Sequence, residues 1–159
     1  MGIDRHYHYK GGRDGKGNSR NDVLELLLSA GAVGAAETSK GKSLYDRLGA
    51  KEGITTVVDA FVARVGADKR INGYFASTDL TKLKMHMVNQ ICEATGGPCK
   101  YTGRTMKQTH AGMGVTDAAF GALVEDLSAT LDQHKVGKAE KEELLGILGP
   151  MKGDIVEKK

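Results

Sequence analysis

Two histidines, His86 and His110, carry side chains that could do chemistry within the regular part of this sequence. Imidazole is a common transition-metal ligand and a proton carrier near neutral pH. His110 lies in a glycine-flanked segment with Met106, Met113 and Val115 close by. The glycines allow a flat ligand to approach the backbone, and soft apolar side chains around one imidazole predict a dry pocket. Such a pocket suits the iron of a porphyrin, whereas a lone histidine among apolar residues is more often a core side chain.

Helices must position these residues, because apolar side chains recur every three or four positions along most of the chain after Ser43. No segment alternates polar and apolar side chains as a strand does, so the predicted fold class is all-α. Residues 100–115 are predicted to be a loop with one short helical turn around 106–111. Five other helices are predicted. A short one follows Ser43, two cover residues 52–65 and 80–94, a fourth begins after Thr116, and the last begins near Lys138. Pro150 is expected to kink or break this last helix.

The charge distribution does not indicate a nucleic-acid partner. The 159 residues carry 23 Lys and Arg against 20 Asp and Glu, a net charge of +3. The excess lies in the first 20 residues, and the remainder of the chain is neutral. We therefore expect no nucleic acid as a partner. No apolar run has the length that spans a bilayer, so no membrane partner is expected either.

Residues 1–42 are predicted to be an N-terminal extension that precedes one domain over residues 43–159. Residues 1–22 are rich in glycine and charged side chains without any period, which predicts a mostly flexible stretch. Residues 23–37 could form a short helix. The apolar run 23–36 is similar to the core of a signal peptide, but Glu25 lies inside it and a long polar stretch precedes it. The predicted location is cytoplasmic, with export through this run as the alternative.

Cys92 and Cys99 are too few for a disulfide framework. A single bridge would suit an oxidising compartment, and two free thiols would suit the cytosol. The prediction is two free thiols.

Several segments resemble the group I truncated haemoglobins. They are YTGRTMKQTHAGMGVTDAAF at 101–120, SLYDRLG at 43–49, DKRINGYF at 68–75 followed by TDL at 78–80, and GGP at 96–98. The resemblance runs from about Ser43 to the C-terminus. It implies a shortened globin in which a two-over-two helical sandwich surrounds haem b, and in which loop replaces most of the helix around the iron ligand. The loop predicted independently over 100–115 agrees with this.

Carried over by position, the resemblance makes His110 the iron ligand. It places Phe61 and Phe75 against the haem. It also places Lys84 and Tyr101 beside the propionates, where a cation and a phenol hydroxyl suit carboxylates. The remaining residues that the resemblance assigns to the pocket lining are Leu80, Leu83, Met106, Val115 and Phe120.

The side of the pocket opposite His110 departs from the family pattern. Val62 stands where the family often has Tyr, and Met87 stands where it often has Gln, so two donors to a bound gas are missing. His86 is the remaining donor, and some family members use a histidine at this position as a second iron ligand. We expect His86 to bind the iron. The alternatives are that His86 only donates to a bound gas, or that Met87 reaches the iron.

These features predict a haem protein that binds O2, NO and CO at iron held by His110, with His86 as the sixth ligand. Removal of nitric oxide or other reactive species is the expected use. Nitric-oxide dioxygenase or pseudo-peroxidase turnover would need an electron-donating reductase as a partner. The alternative functions are a six-coordinate electron-transfer or gas-sensing module, and a helical interaction domain that has lost haem. The predicted oligomeric state is a monomer or a weak homodimer.

Overall fold

The computed structural model describes residues 41–158, which form helices joined by loops. The predicted helix over 23–37, the apolar run 23–36 and almost all of the predicted extension lie outside the described residues. Within residues 41–158 no strand is formed, and the β-type pairing found there is an isolated bridge between Thr116 and Lys158. The helices are α1 (Leu44–Arg47), α2 (Ala50–Ala67), a 3-10 helix (Asn72–Phe75), α3 (Leu80–Ala94), α4 (Met106–His110), α5 (Asp117–Gln133), α6 (Lys138–Leu148), a second 3-10 helix (Gly149–Met151) and α7 (Lys152–Ile155).

Short polar side chains start three of these helices at the predicted places. Ser43 Oγ accepts the backbone N–H of Asp46 at the start of α1. The side chain of Asp79 accepts backbone N–H groups of the first turn of α3, and that of Thr116 accepts one from the first turn of α5. Each cap satisfies a backbone donor that the first turn of a helix leaves unpaired, which contributes about 1 kcal/mol.

Helix α2 is central to the described part, because it packs against both α3 and α5. Its residues Ile54, Val58, Phe61 and Val65 follow one another at intervals of three and four, and all four are buried. Burying side chains of this size stabilises the fold by about 1.5–3 kcal/mol each. Helix α5 also contacts α6, so α2 with α3 and α5 with α6 form two helix pairs. None of the helices described for residues 41–158 is both long and apolar enough to cross a membrane.

Pro150 divides the C-terminal helical region as the sequence predicts. Helix α6 ends at Leu148, the 3-10 helix Gly149–Met151 contains Pro150, and α7 begins at Lys152. Proline lacks the N–H that continues an α-helix, and its ring crowds the preceding turn. The break turns α7 so that it contacts α4.

The two cysteines form a disulfide between Cys92 and Cys99, so the prediction of free thiols is wrong for this structure. The reason is the turn at the end of α3. Gly96 has a left-handed backbone with φ +87°, and a Cβ on Gly97 would lie 2.7 Å from Cys92 Sγ. Because two glycines permit this tight turn, Cys99 returns onto the last turn of α3. There the Cα atoms of the two cysteines lie 5.7 Å apart.

Candidate functional site

A cavity of about 1000 Å³ lies among α2, α3, α4 and α5, with the C-terminal helices at one end. Its lining is predominantly apolar. An apolar, well-formed cavity with a few polar groups is the usual form of a cofactor site. The predicted site residues that line it are Phe61, Val62, Phe75, Leu80, Leu83, His86, Met87, Tyr101, Met106, His110 and Phe120.

Two residues of the predicted pocket lie elsewhere. The ammonium group of Lys84 is 2.9 Å from the carboxylate of Asp59 on α2, and Lys84 does not line the cavity. Val115 is buried beside the C-terminal segment, whose residues Glu157 and Lys158 donate their backbone N–H groups to its carbonyl oxygen. Lys84 therefore joins α2 to α3, and Val115 anchors the chain after His110.

Helix α4 presents His110 to the cavity in one orientation. The helix begins with a capping box, in which Thr105 and Gln108 satisfy each other's backbone N–H groups. The Nδ1 atom of His110 lies 2.8 Å from the carbonyl oxygen of Met106. A carbonyl oxygen only accepts hydrogen bonds, so Nδ1 carries the proton in this contact. The lone pair then resides on Nε2, which is the arrangement that metal-bound histidines use.

Helix α3 brings His86 to the same cavity with different surroundings. Its Nδ1 atom is buried and has no hydrogen-bond partner among the described residues. Its ring meets the ring of Tyr101 edge to face, with centroids 5.9 Å apart. A buried polar nitrogen without a partner costs free energy. The ring of His86 is therefore held without a hydrogen bond at Nδ1, unlike the ring of His110.

The rest of the pocket opposite His110 lacks donors where the sequence departs from the family. Val62 and Met87 both line the cavity and are apolar. Tyr101 lines it too, but its hydroxyl donates to the carbonyl oxygen of Arg104 at 2.7 Å. At the positions of Val62 and Met87 the cavity therefore offers no side-chain donor to a bound ligand.

Two cations at the cavity were not predicted from the sequence, namely Lys82 and Arg104. Both residues are exposed. Helical spacing could have indicated Lys82, because it lies four residues before His86 and so shares its face of α3. No comparable signal marks Arg104, which lies in the loop before α4. These side chains offer the positive charge that Lys84 was expected to supply to carboxylates of a cofactor.

The loop that follows His110 is held by the C-terminal segment. Gly112 and Gly114 have left-handed backbones with φ +78° and +64°. Their N–H groups donate to the two carboxylate oxygens of Glu157 at 2.7 and 2.6 Å. We call this arrangement the Glu157 clamp. The two backbone hydrogen bonds lower the pKa of the Glu157 carboxyl below its usual range.

Two helix pairs around an apolar cavity that presents a histidine define the class as a haem-binding globin. The model of the bacterial-like globin family matches residues 43–157. The group 1 truncated haemoglobin of Mycolicibacterium paratuberculosis is 38% identical over 113 residues, which cover 71% of this chain and 83% of that protein. The chain therefore belongs to the group I truncated haemoglobin family.

Solved structures agree with this assignment and with the predicted fold. The truncated haemoglobin of Tetrahymena pyriformis in its Fe(III) form has a TM-score of 0.70 and 28% identity, covering 72% of this chain and 98% of that one. The 2/2 haemoglobin of Synechococcus, solved with covalently attached haem, has a TM-score of 0.69, 32% identity and the same coverage, 72% and 98%. The predicted family and the predicted all-α two-over-two globin fold are confirmed.

Proposed function

We propose that this globin binds haem b, with His110 as one iron ligand through Nε2 and His86 as the other, and that diatomic gases displace His86. The observation that carries the proposal is the contact of His110 Nδ1 with the Met106 carbonyl oxygen, 2.8 Å long. This contact fixes the tautomer and the ring orientation that an iron ligand needs. The position of His86 in the lining of the same cavity supports the second ligand.

Haem iron supplies a reversible binding site for O2, NO and CO, and the protein controls access to it. His86 competes with the gas, so the apparent affinity is the intrinsic affinity multiplied by the fraction of molecules in which His86 has moved away. Val62 and Met87 exclude water without donating a hydrogen bond to the gas. A charge-assisted donor stabilises a polar ligand by about 1.5–3 kcal/mol, so its absence favours rapid release. Val62 and Met87 therefore suit rapid exchange of the bound gas better than storage of O2.

Removal of nitric oxide is the turnover that we propose for such a site, with an electron-donating reductase as the partner. A second histidine in the cavity lining, His86, also favours a second candidate, a six-coordinate electron-transfer or gas-sensing module without turnover. Two imidazole ligands that stay bound in both oxidation states keep the ligand set unchanged, which suits electron transfer. Steady-state consumption of nitric oxide in the presence of O2 and a continuous supply of electrons to the haem distinguishes the two functions, because only the first predicts it.

The decisive experiment on the iron ligands is the absorption spectrum of the deoxygenated ferrous protein at neutral pH. We expect sharp, split visible bands, which indicate six-coordinate low-spin iron. His86→Ala should convert them into one broad band of five-coordinate iron. His134→Ala is the matched control, because His134 does not line the cavity and should leave the spectrum unchanged. A wild-type spectrum that His86→Ala does not alter would rule out His86 as a ligand.

Haem content tests the assignment of His110. We expect His110→Ala to lose stoichiometric haem during purification, because the side chain with the pre-oriented nitrogen is gone. A pyridine haemochrome spectrum of the wild-type protein should be that of haem b. Stoichiometric haem in the His110→Ala variant would contradict the assignment, and so would a wild-type protein purified without haem.

A further inference from the structure

We propose that Glu157 is a positioning residue for the iron-binding histidine. Its carboxylate holds the loop that follows His110, and the loop in turn keeps the imidazole in its orientation toward the cavity. The inference rests on the proposed role of His110 as an iron ligand. It concerns a residue that lies outside the cavity lining and whose carboxylate binds the backbone of the loop after His110.

Helix α4 has little structure of its own with which to hold His110. It spans five residues, and His110 is the last of them. A single helical turn is unstable in isolation, so neighbouring contacts must fix it. After His110 the chain leaves the helix at Ala111, whose ψ is 126°. The histidine therefore stands where the helix ends, and its position depends on the path of the next residues.

The Glu157 clamp fixes that path. Gly112 and Gly114 point their N–H groups at one carboxylate. Both glycines have a left-handed φ, which residues other than glycine rarely adopt. Successive backbone donors of this kind form a concave anion site, and here the anion is supplied by the chain itself. The loop is also tied to the histidine, because Met113 donates its N–H to the carbonyl oxygen of His110 at 3.1 Å.

Other contacts hold the same segment and make a specific test possible. The backbone of Glu157 donates to the carbonyl oxygen of Val115 at 2.9 Å, and Lys158 donates to the same oxygen at 3.1 Å. Glu157→Gln keeps both of these bonds and the shape of the side chain. It replaces one accepting oxygen with an NH2 group, which then faces an N–H. The variant therefore removes the carboxylate from the clamp and leaves the C-terminal segment in place.

The first measurement is the rate at which the full ferric protein loses haem to an excess of apomyoglobin. We expect Glu157→Gln to raise this rate by about tenfold, which corresponds to about 1.4 kcal/mol. Gly112→Ala should act similarly, since a Cβ there meets no atom within 4 Å and only the left-handed backbone opposes it. Because both substitutions disrupt the Glu157 clamp, the double variant should lose haem at a rate raised by less than the product of the two single fold-changes.

The second measurement is the iron–imidazole stretching band in the resonance Raman spectrum of the ferrous protein, recorded in a His86→Ala background so that the iron is five-coordinate. We expect Glu157→Gln to shift or broaden this band, because the imidazole samples more orientations. Glu142→Gln is the control, since this exposed carboxylate on α6 lies 3.7 Å from Lys138. A role confined to overall stability would lower the melting temperature without moving the band.

The outcomes separate this inference from the function on which it rests. A protein that binds no haem, or that keeps it in His110→Ala, contradicts the proposed function. If His110 is the ligand but Glu157→Gln matches Glu142→Gln in both measurements, the positioning role is overturned and the function stands. A faster loss of haem together with a changed band confirms the role of Glu157.

Discussion

At the scale of single residues, His110 and His86 use the same side chain in two ways. His110 commits Nδ1 to the carbonyl oxygen of Met106, so little rotational freedom is lost when its other nitrogen binds a metal. The Nδ1 atom of His86 has no partner in the described part of the chain, so no comparable contact restrains the ring. The first arrangement suits a permanent ligand, and the second suits a ligand that leaves when a gas arrives.

Asp126 is a buried carboxylic acid away from the cavity, and it should make stability depend on pH. It is 7% exposed, and its Oδ2 has no donor among the described residues. Burial and the facing carboxylate of Asp68 raise its pKa, while Arg70 and Arg64 oppose the rise. Because the folded chain binds this proton more tightly than the unfolded chain, the folded state loses stability as the pH rises above the unfolded pKa.

We therefore predict that Asp126→Asn stabilises the protein at neutral pH, because no charge remains to be buried. The expected rise in melting temperature at pH 7 is roughly 2–4 °C. The advantage should shrink as the pH falls and should vanish below about 4, the ordinary pKa of an Asp carboxyl, because the wild-type carboxyl is then protonated in both states. Thermal unfolding of the two proteins across this range is the measurement. A variant that is less stable than wild type at pH 7 would contradict the prediction.

At the scale of elements, the start of α2 depends on a glycine for close packing. A Cβ on Gly53 would overlap the carbonyl oxygen of Leu48, which belongs to the turn between α1 and α2. We predict that Gly53→Ala destabilises the protein by about 1–3 kcal/mol, since backbone must move to make room. Chemical denaturation measures this directly.

Gly121 in α5 provides the control for that substitution. A Cβ there would meet no atom within 4 Å, and the residue is exposed on the helix. Gly121→Ala should therefore stabilise the protein by about 0.5–1 kcal/mol through helix propensity. A similar gain in stability in both variants would show that helix propensity, and not the contact with Leu48, governs these positions.

The elements that the sequence predicts well are those fixed by near neighbours. The stripe of α2, the caps at Ser43 and Asp79, and the break at Pro150 all depend on residues within about four positions. The contacts that the sequence does not predict involve partners that are distant or set by backbone angles. Lys84 pairs with Asp59 on another helix, and Cys99 meets Cys92 only because Gly96 and Gly97 turn the chain sharply. The spacing of residues along the sequence does not predict either the ion pair or the disulfide.

Because hydrophobic periodicity alone does not identify pocket residues, most residues of the candidate site were predicted from the resemblance to the truncated haemoglobins. It indicated His110 and the apolar lining. It did not indicate the Glu157 clamp, whose partners are 43 and 45 residues apart in the sequence. Only the folded chain brings these groups together. The boundary between residues 42 and 43 stays a prediction.

At the scale of the whole molecule, the disulfide closes a loop between α3, which carries His86, and the segment that leads to α4. The bond joins residues seven positions apart. Closing a loop of this size stabilises a fold by about 2–3 kcal/mol, mainly by restricting the unfolded chain. We predict that reduction with a dithiol lowers the melting temperature and exposes two thiols.

Cys99→Ala provides the comparison for that measurement. It removes the bridge, so its melting temperature should not respond to the dithiol. Because Cys92 is fully buried, the reductant must first reach the bond from the side of Cys99, which is half-buried. Two titratable thiols in the untreated protein would contradict the bridge.

The Glu157 clamp also bears on the order in which the molecule folds. Bonds within α2 or α5 link residues four apart and form early, whereas the clamp must bring together segments more than forty residues apart. Helix α4 is too short to form before that closure. A refolding chain should therefore recover its helical circular dichroism before it can retain haem. Haem added at the first stage would meet assembled helices but an unfinished ligand, so capture of the iron belongs to the last step of folding.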